Sequence, residues 1–293
     1  MNRVYGLIIL LIITISSNAQ TRMIEGVVAD SVTREPLVYA NIYVLNTSIG
    51  TTSDEQGYFQ LREPAIDQKL RFGYVGYDYK DITFKKQKLD TIYLSPNNEE
   101  LKEVVLQVPT GEKRLRIKAS KSGQKLGISN SGNDEGARIF LRYFAKPEKF
   151  QNEEAYLNSA EFFLFKGIGS INRDYIFRVR IMSITSDGEP GYDLIDNIIL
   201  QGKPGSKIKT DFRQEQIRIP REGFLIGVEG LQIDQNYTGT TRLVLENGDL
   251  QDVKRYGPTF KAVESRDPVY YLSRGEWKKL NMPVPAMNLI ITN

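Results

Sequence analysis

The sequence predicts an all-β protein with a small β-sandwich followed by a larger one. Short stretches in which apolar and polar residues alternate recur along the chain, and turn residues separate them. The first 75 residues after the N-terminal apolar run contain no helical periodicity, which favours strands packed in two sheets. At 293 residues the chain is long enough for two hydrophobic cores.

The N-terminus predicts a secretory signal peptide. Arg3 precedes an almost wholly apolar run over residues 4–15, and the small residues Ser17 and Ala19 fit cleavage after Ala19. As a helix this run would rise about 18 Å, well short of the ~30 Å hydrocarbon core of a bilayer. We therefore assign residues 1–19 to the signal peptide and expect an exported protein without a transmembrane anchor after cleavage. Its location would be the periplasm, the outer membrane or the cell surface.

Residues 21–96 predict the first sandwich, with six or seven strands. Within 37–45, Ala40, Ile42 and Val44 alternate with polar or aromatic residues, which predicts a half-buried strand. The further strand patterns cover 23–30, 58–61, 70–74, 81–84 and 91–94. In the turn before the strand at 58–61, we expect Gly57 to need an unusual backbone conformation and Asp54 to accept backbone N–H bonds.

Four motifs in this segment carry a family resemblance. They are Gly26-x-Val28-x-Asp30, Pro36-Leu37-x-x-Ala40-Asn41-Ile42-x-Val44, Gly50-Thr51-x-x-Asp54-x-x-Gly57-x-Phe59 and Phe72-x-x-Val75-Gly76-Tyr77. Their order resembles the carboxypeptidase-regulatory-like domain, and Leu101-Lys102-Glu103-Val104-Val105 resembles the segment that follows it in envelope proteins of Bacteroidetes type. The resemblance implies a transthyretin-like sandwich of seven strands.

The composition narrows the classes of function. The chain has no His and no Cys, which excludes Ser-His-Asp and Cys-His nucleophile systems and the His ligands of a zinc carboxypeptidase. We therefore expect no enzyme. One enzymatic alternative stays open, a glycan hydrolase that uses two carboxylates. The formal net charge of +3 is too small to predict nucleic-acid binding.

Residues 97–124 are assigned to a linker. A basic stretch begins in its second part, because within 108–125 one acid, Glu112, stands against six cations: Lys113, Arg114, Arg116, Lys118, Lys121 and Lys125. A solvated connector or a polar edge strand is the favoured interpretation. The alternative is contact with anionic lipid headgroups or lipopolysaccharide.

Residues 125–293 predict a larger, jelly-roll-like sandwich. Strand patterns cover 138–144, 160–165, 175–184, 195–200, 207–212, 216–219, 223–233, 243–246, 259–264, 269–272 and 287–291. The segment 138–144 also fits a short helix. In 175–184 one face is apolar and the other, with Arg178 and Arg180, is partly polar. The runs Phe177-Arg178-Val179-Arg180-Ile181 and 217–229 are similar to the C-terminal half of uncharacterised secreted Bacteroidetes proteins.

Two candidate sites follow from residue chemistry in this second segment. Asp187, Glu189, Asp193 and Asp196 cluster around one turn, and their oxygens suit a structural calcium ion, although a solvated loop is the favoured interpretation. No other cofactor is expected.

The second candidate is an aromatic platform that stacks on sugar rings. Its members would be Trp277, Tyr270, Tyr271, Tyr237 and Tyr256, and the alternative is that they belong to the core.

Together these observations predict a non-catalytic, secreted protein of the cell envelope. The first sandwich would be a structural or docking module, and the second would bind a glycan or an envelope protein. The alternatives are the carboxylate-based hydrolase and a purely architectural component of a surface assembly.

Overall fold

The computed structural model describes residues 22–97, 112–119, 126–129, 136–167, 170–244 and 250–293. The predicted signal peptide and the segment 101–105 lie outside these ranges. The predicted all-β fold class is confirmed, because strands make up the regular structure apart from two 3₁₀ turns at Glu148–Phe150 and Asp234–Asn236. No helix in the described part of the chain has the length and apolarity that a membrane crossing requires.

Seven strands form the first sandwich. They are β1 (Met23–Asp30), β2 (Asn41–Val44), β3 (Gly50–Thr52), β4 (Tyr58–Arg62), β5 (Lys69–Gly73), β6 (Lys80–Thr83) and β7 (Thr91–Leu94). One sheet has the order β4-β1-β7 and the other β3-β2-β5-β6. Phe59 and Phe72 meet edge to face in the core between them, with ring centroids 5.6 Å apart.

The turn before β4 has the predicted geometry. The Asp54 carboxylate accepts hydrogen bonds from the backbone N–H groups of Gln56 and Tyr58, both at 2.9 Å. Gly57 has a φ of 70°, and a Cβ there would lie 2.5 Å from the carbonyl oxygen of Val28. Only glycine fits this combination of backbone angle and close approach. Asp54 and Gly57 are therefore explained by the geometry of this turn.

The remaining strands build a larger assembly. They are β8 (Arg114–Ile117), β9 (Leu126–Ser129), β10 (Arg138–Phe144), β11 (Tyr156–Phe163), β12 (Tyr175–Ile184), β13 (Pro190–Asp193), β14 (Ile198–Gly202), β15 (Lys207–Asp211), β16 (Phe224–Gly230), β17 (Tyr237–Val244), β18 (Leu250–Tyr256), β19 (Thr259–Val263), β20 (Val269–Ser273), β21 (Glu276–Leu280), β22 (Val284–Pro285) and β23 (Met287–Thr292). The segment 138–144 is thus a strand and not a helix. Strand β8 lies inside the predicted linker, whose boundaries at 97 and 124 stay predictions.

Two sheets enclose the main core of this second part. A seven-stranded sheet has the order β13-β12-β16-β10-β20-β21, with β14 also paired to β12, and a four-stranded sheet has the order β15-β11-β23-β8. Their facing side chains, among them Phe162, Phe177 and Leu289, form one cluster. A three-stranded sheet, β22-β19-β9, and the hairpin β17-β18 complete the strands of the described ranges.

The seven-stranded sheet packs its other face against the first sandwich. Tyr43 of β2 lies in one apolar cluster with Ile139, Leu141, Leu225 and Leu272. Its hydroxyl donates a hydrogen bond to the carbonyl of Ala137 at 2.9 Å. Both faces of β2 and β12 are therefore buried. The sequence predicted that one face of β2 would be exposed. It also predicted the partly polar face of β12, but not that the first sandwich would cover it.

A buried charge cluster lies at the centre of this junction. Glu229 of β16 pairs with Arg178 and with Arg180 of β12, the latter at 2.9 Å, and Arg180 also pairs with Asp193 at 2.8 Å. Arg178 and Glu229 have no solvent-exposed surface. Such charges are stable in a protein interior only when every group has a partner.

The first sandwich supplies several of those partners. The Asn41 side-chain amide donates to Glu229 at 2.8 Å, and the Arg178 guanidinium donates to the carbonyl of Tyr39, also at 2.8 Å. The same guanidinium lies over the ring of Tyr74, 5.2 Å from its centroid. The cluster therefore belongs to both sandwiches and holds them together.

We predict that Glu229→Gln lowers the free energy of unfolding by about 3–5 kcal/mol, because it leaves two buried guanidinium groups with one carboxylate fewer. Chemical denaturation measures this loss. Glu215→Gln, which removes an exposed carboxylate, is the control and should change the value by less than about 0.5 kcal/mol. A Glu229→Gln loss as small as that of the control would contradict the structural role.

The same substitution should show a pH-dependent effect. Burial alone raises the pKa of the Glu229 carboxyl, but Arg178, Arg180 and Asn41 outweigh it, so the pKa is lowered from its ordinary 4.5. A lowered pKa stabilises the fold above pH 4.5, and this contribution disappears as the pH falls through the folded-state value. The stability difference between wild type and Glu229→Gln should therefore shrink below pH 4.5. If the stability difference between the two proteins stays constant down to the pH of acid unfolding, the lowered pKa of Glu229 is contradicted.

Candidate binding site

The outer face of the four-stranded sheet carries a polar cleft. Alternate residues of β11, β15 and β23 point to opposite sides, so that Ala160, Phe162 and Leu289 enter the core. The residues between them point away from it. The sheet therefore has one apolar face and one face available to solvent or a ligand.

The strand register brings polar residues from all four strands together on that face. Ser159 of β11 lies opposite Asp211 of β15, and Thr292 of β23 lies opposite Arg114 of β8. A register shift between Leu157 and Ser159 marks a β-bulge in β11. At this bulge the Asn158 carbonyl accepts a hydrogen bond from the backbone of Phe212 at 2.7 Å, which fixes the chain after β15.

The cleft has a volume of about 550 Å³, which is within the range of small-ligand sites. Its lining combines cations, amides, hydroxyls and one carboxylate. The lining residues are Arg114, Tyr156, Leu157, Asn158, Ser159, Lys209, Asp211, Phe212, Arg213, Gln216, Ile290 and Thr292. This composition suits a polar ligand better than an apolar one.

The charges of the cleft are predominantly positive. The Arg213 guanidinium donates hydrogen bonds to Asp211, the shortest at 2.6 Å. Within the described residues, Arg114 and Lys209 have no carboxylate at ion-pair distance. Register places Arg116 and Lys207 on the same face of the sheet, beside the cleft. Exposed cations without protein partners can bind an anionic group.

The only carboxylate in the cleft lining is held in its ionised form. The side-chain hydrogen bonds from Arg213, followed by its backbone N–H, lower the pKa of Asp211 to about 2. A glycoside hydrolase needs a second carboxyl group whose pKa is raised, so that it can donate a proton. This lining lacks that arrangement.

The four predicted calcium ligands lie around β13 but differ in their contacts. Asp193 is paired with the buried Arg180, and Glu189 is paired with Lys279 at 2.8 Å. Asp187 and Asp196 are exposed. Among the residues described here, no three acidic side chains form a group that could hold a metal ion. The geometry therefore gives the calcium hypothesis no support.

The five predicted platform aromatics lie in three separate places. Tyr270 is buried and Trp277 partly buried at the junction with the first sandwich. Tyr271 lies on the opposite face of its strand, stacked on Phe140 at 5.0 Å. Tyr237 and Tyr256 meet edge to face on the hairpin, 5.9 Å apart. The structure therefore does not form a shared stacking platform from these five residues.

Sequence reasoning missed most of the cleft. Only Arg114 belonged to a segment for which contact with anions was considered. The alternation Lys207-Ile208-Lys209-Thr210-Asp211 was a usable signal, because it predicts one polar strand face. The pairing of that face with β8, which is more than 80 residues away in the chain, could not be read from either strand alone.

Comparison with known proteins identifies the N-terminal part. Residues 24–106 match the family model of the CarboxypepD_reg-like domain. The resemblance predicted from the motifs of the first sandwich is therefore confirmed, and this part of the chain carries a regulatory, non-catalytic type of domain. The match covers less than a third of the chain, so the second sandwich lies outside it.

One curated relative is the TonB-dependent receptor P3 of Formosa agariphila. It is 31% identical over 156 residues, which cover 45% of this chain and 16% of the receptor. The matched region is thus a small part of the receptor.

Solved structures give only distant similarities. A type II cohesin–X-dockerin complex from Acetivibrio cellulolyticus is 15% identical over 25% of this chain and 51% of that chain, with a TM-score of 0.20. The VP2 subviral particle of infectious bursal disease virus is 11% identical over 87% and 57%, with a TM-score of 0.23. Scores this low support no argument about function.

We predict that Arg213→Ala raises the pKa of the Asp211 carboxyl from about 2 toward its ordinary 3.8, because the guanidinium hydrogen bonds are lost. Carboxyl chemical shifts followed by NMR during a pH titration measure this change. Arg242→Ala is a matched control, since it removes an exposed arginine that pairs with Asp252, and it should leave Asp211 unchanged. An Asp211 pKa that stays near 2 in Arg213→Ala would contradict the assignment.

Proposed function

We propose that this protein is a non-catalytic component of the cell envelope that docks through its first sandwich and binds a glycan or an envelope protein through its second. The junction between the sandwiches is the observation that carries the proposal. Its buried ion pairs need partners from both sides, so the docking module and the binding module act as one unit. A docking module fixed in this way presents the second sandwich in a defined orientation.

The first sandwich supports the docking role. Its CarboxypepD_reg-like domain is a regulatory type, and the absence of histidine from the sequence excludes the His ligands of a zinc carboxypeptidase. The similarity to a TonB-dependent receptor supports a place in the envelope, together with the predicted signal peptide at residues 1–19.

The second sandwich supports the binding role. It provides a cleft of about 550 Å³ on the face of a sheet, lined by side chains from four strands. Residues held by strands keep their relative positions better than residues held by loops, which favours selective binding. Among the described residues that line the cleft, Asp211 is the single carboxylate, whereas glycan hydrolysis requires two, so the lining favours binding.

Co-sedimentation with washed envelope fragments tests the proposal. The purified mature chain should sediment with fragments from its source bacterium and reach saturation, whereas it should stay in solution with fragments of an unrelated Gram-positive bacterium. Periodate treatment of the fragments should abolish binding to a glycan partner, and protease treatment should abolish binding to a protein partner. A chain that stays in the supernatant at every fragment concentration would contradict the proposal.

A further inference from the structure

We propose that the cleft on the four-stranded sheet binds an acidic saccharide, a sugar polymer that carries carboxylate or sulfate groups. This inference rests on the proposed function, because it names the class of ligand that the second sandwich would take. It also commits to a location, since the cleft is formed by β8, β11, β15 and β23 and the segment after β15.

The excess of positive charge points to an anionic ligand. Five cations, Arg114, Arg116, Lys207, Lys209 and Arg213, lie in or beside the cleft. Among the described strand residues, two carboxylates share this face: Asp211, which is paired with Arg213, and Glu161, which lies opposite Lys209 and accepts a hydrogen bond from Asn288. Arg114 and Arg116 lie on β8, and Lys207 and Lys209 lie on β15, so the cations flank this face from the two edge strands of the sheet. An anion bound between these edges would be attracted from both sides.

The uncharged groups of the cleft point to a ligand with many hydroxyl groups. Gln216 and Ser159 both line the cleft, and in the described structure neither side chain has a hydrogen-bond partner. An amide and a hydroxyl each donate and accept, which matches the hydroxyl groups of a sugar. The Thr292 hydroxyl donates a hydrogen bond to the Asn158 side chain at 2.9 Å. This bond fixes both side chains in the cleft lining. A simple anion such as phosphate would accept hydrogen bonds from the cations, the amide N–H and the hydroxyl, but it offers few donors for the amide carbonyl and the hydroxyl oxygen, whereas sugar hydroxyls do both.

The surroundings of the cleft disfavour a membrane surface. A protein that lies on a lipid surface combines cations with exposed apolar side chains that enter the headgroup region. The large exposed hydrophobic residues of the described structure lie elsewhere, and none of them lines the cleft. The cleft is also concave, whereas a flat bilayer can contact only protruding residues.

The position of the cleft disfavours an acidic peptide. An extended peptide gains most from adding a strand to a sheet edge, where unpaired backbone groups are available. The cleft lies on the face of the sheet across β11 and β23, and both strands are paired on both sides. A peptide there would bind through side chains alone. An acidic saccharide needs no backbone pairing, so it is the occupant that these observations favour.

Isothermal titration calorimetry with defined polymers tests the inference. The probes are polygalacturonate and chondroitin sulfate as acidic saccharides, dextran as a neutral saccharide, poly-glutamate as an acidic peptide, and vesicles containing phosphatidylglycerol. We expect binding to at least one acidic saccharide, with an affinity that falls as salt is added, and none to dextran. Binding to dextran, poly-glutamate or the vesicles that equals or exceeds binding to both acidic saccharides would overturn the inference.

Charge-reversal variants locate the site. Arg114→Glu combined with Lys209→Glu should weaken acidic-saccharide binding by roughly tenfold or more, because two charge-assisted contacts become repulsive. The matched control, Lys254→Glu with Lys278→Glu, makes the same change in net charge on exposed residues of the hairpin and of β21, and should stay within about twofold of wild type. Equal losses in the two double variants would overturn the location.

A milder double variant covers the case in which the glutamate variant does not fold, and a second assay separates the saccharide site from the proposed function. If the glutamate variant does not show the wild-type unfolding transition, Arg114→Gln with Lys209→Gln replaces it and should still weaken binding beyond the control. Envelope co-sedimentation separates this inference from the proposed function. A chain that sediments with envelope fragments but binds neither acidic saccharide would overturn the acidic-saccharide site alone.

Discussion

The buried ion cluster around Glu229 is the interaction on which the rest of the architecture depends. Moving a carboxylate and two guanidinium groups out of water is strongly unfavourable unless each one is paired. Glu229 meets this condition only with Arg178, Arg180 and the Asn41 amide, and Arg178 also needs the backbone of the first sandwich. The charges are therefore stable only while the two sandwiches stay in contact.

The junction also decides which surfaces remain for recognition. One face of the seven-stranded sheet packs on the first sandwich through Tyr43 and its neighbours, and the other face forms the main core. The four-stranded sheet covers the opposite side of that core. Its outer face, which carries the cleft, consequently lies on the side of the second sandwich away from the first sandwich. The proposed ligand of the cleft and a proposed partner of the first sandwich would therefore not compete for space.

Local sequence patterns predicted the strands well because strand periodicity depends on neighbouring residues. The same patterns failed where burial depends on residues distant in sequence. Arg178 and Arg180 give β12 a partly polar face, which predicted partial exposure, yet Asn41 and the Tyr39 carbonyl cover that face from the other sandwich. Trp277 shows the same limit, since the junction with the first sandwich partly buries it and the residues next to it in the chain do not reveal that contact. The cleft needed a register between β8, β23, β11 and β15 that no single segment reveals.

Two pairs of cations in the described part of this protein differ in whether their charge has a carboxylate partner: Arg178 with Arg180, and Arg114 with Lys209. Arg178 and Arg180 are buried, and carboxylates and carbonyls of the protein itself occupy their donors. Arg114 and Lys209 are exposed, and in the described ranges their charges have no carboxylate partner. A fully paired charge contributes to the fold, whereas an unpaired charge on a concave face remains free to interact with a ligand. The run Phe177-Arg178-Val179-Arg180-Ile181 stands out in the sequence, yet its two arginines serve the architecture. The exposed cations of β8 and β15 are the ones that the proposed saccharide site would use.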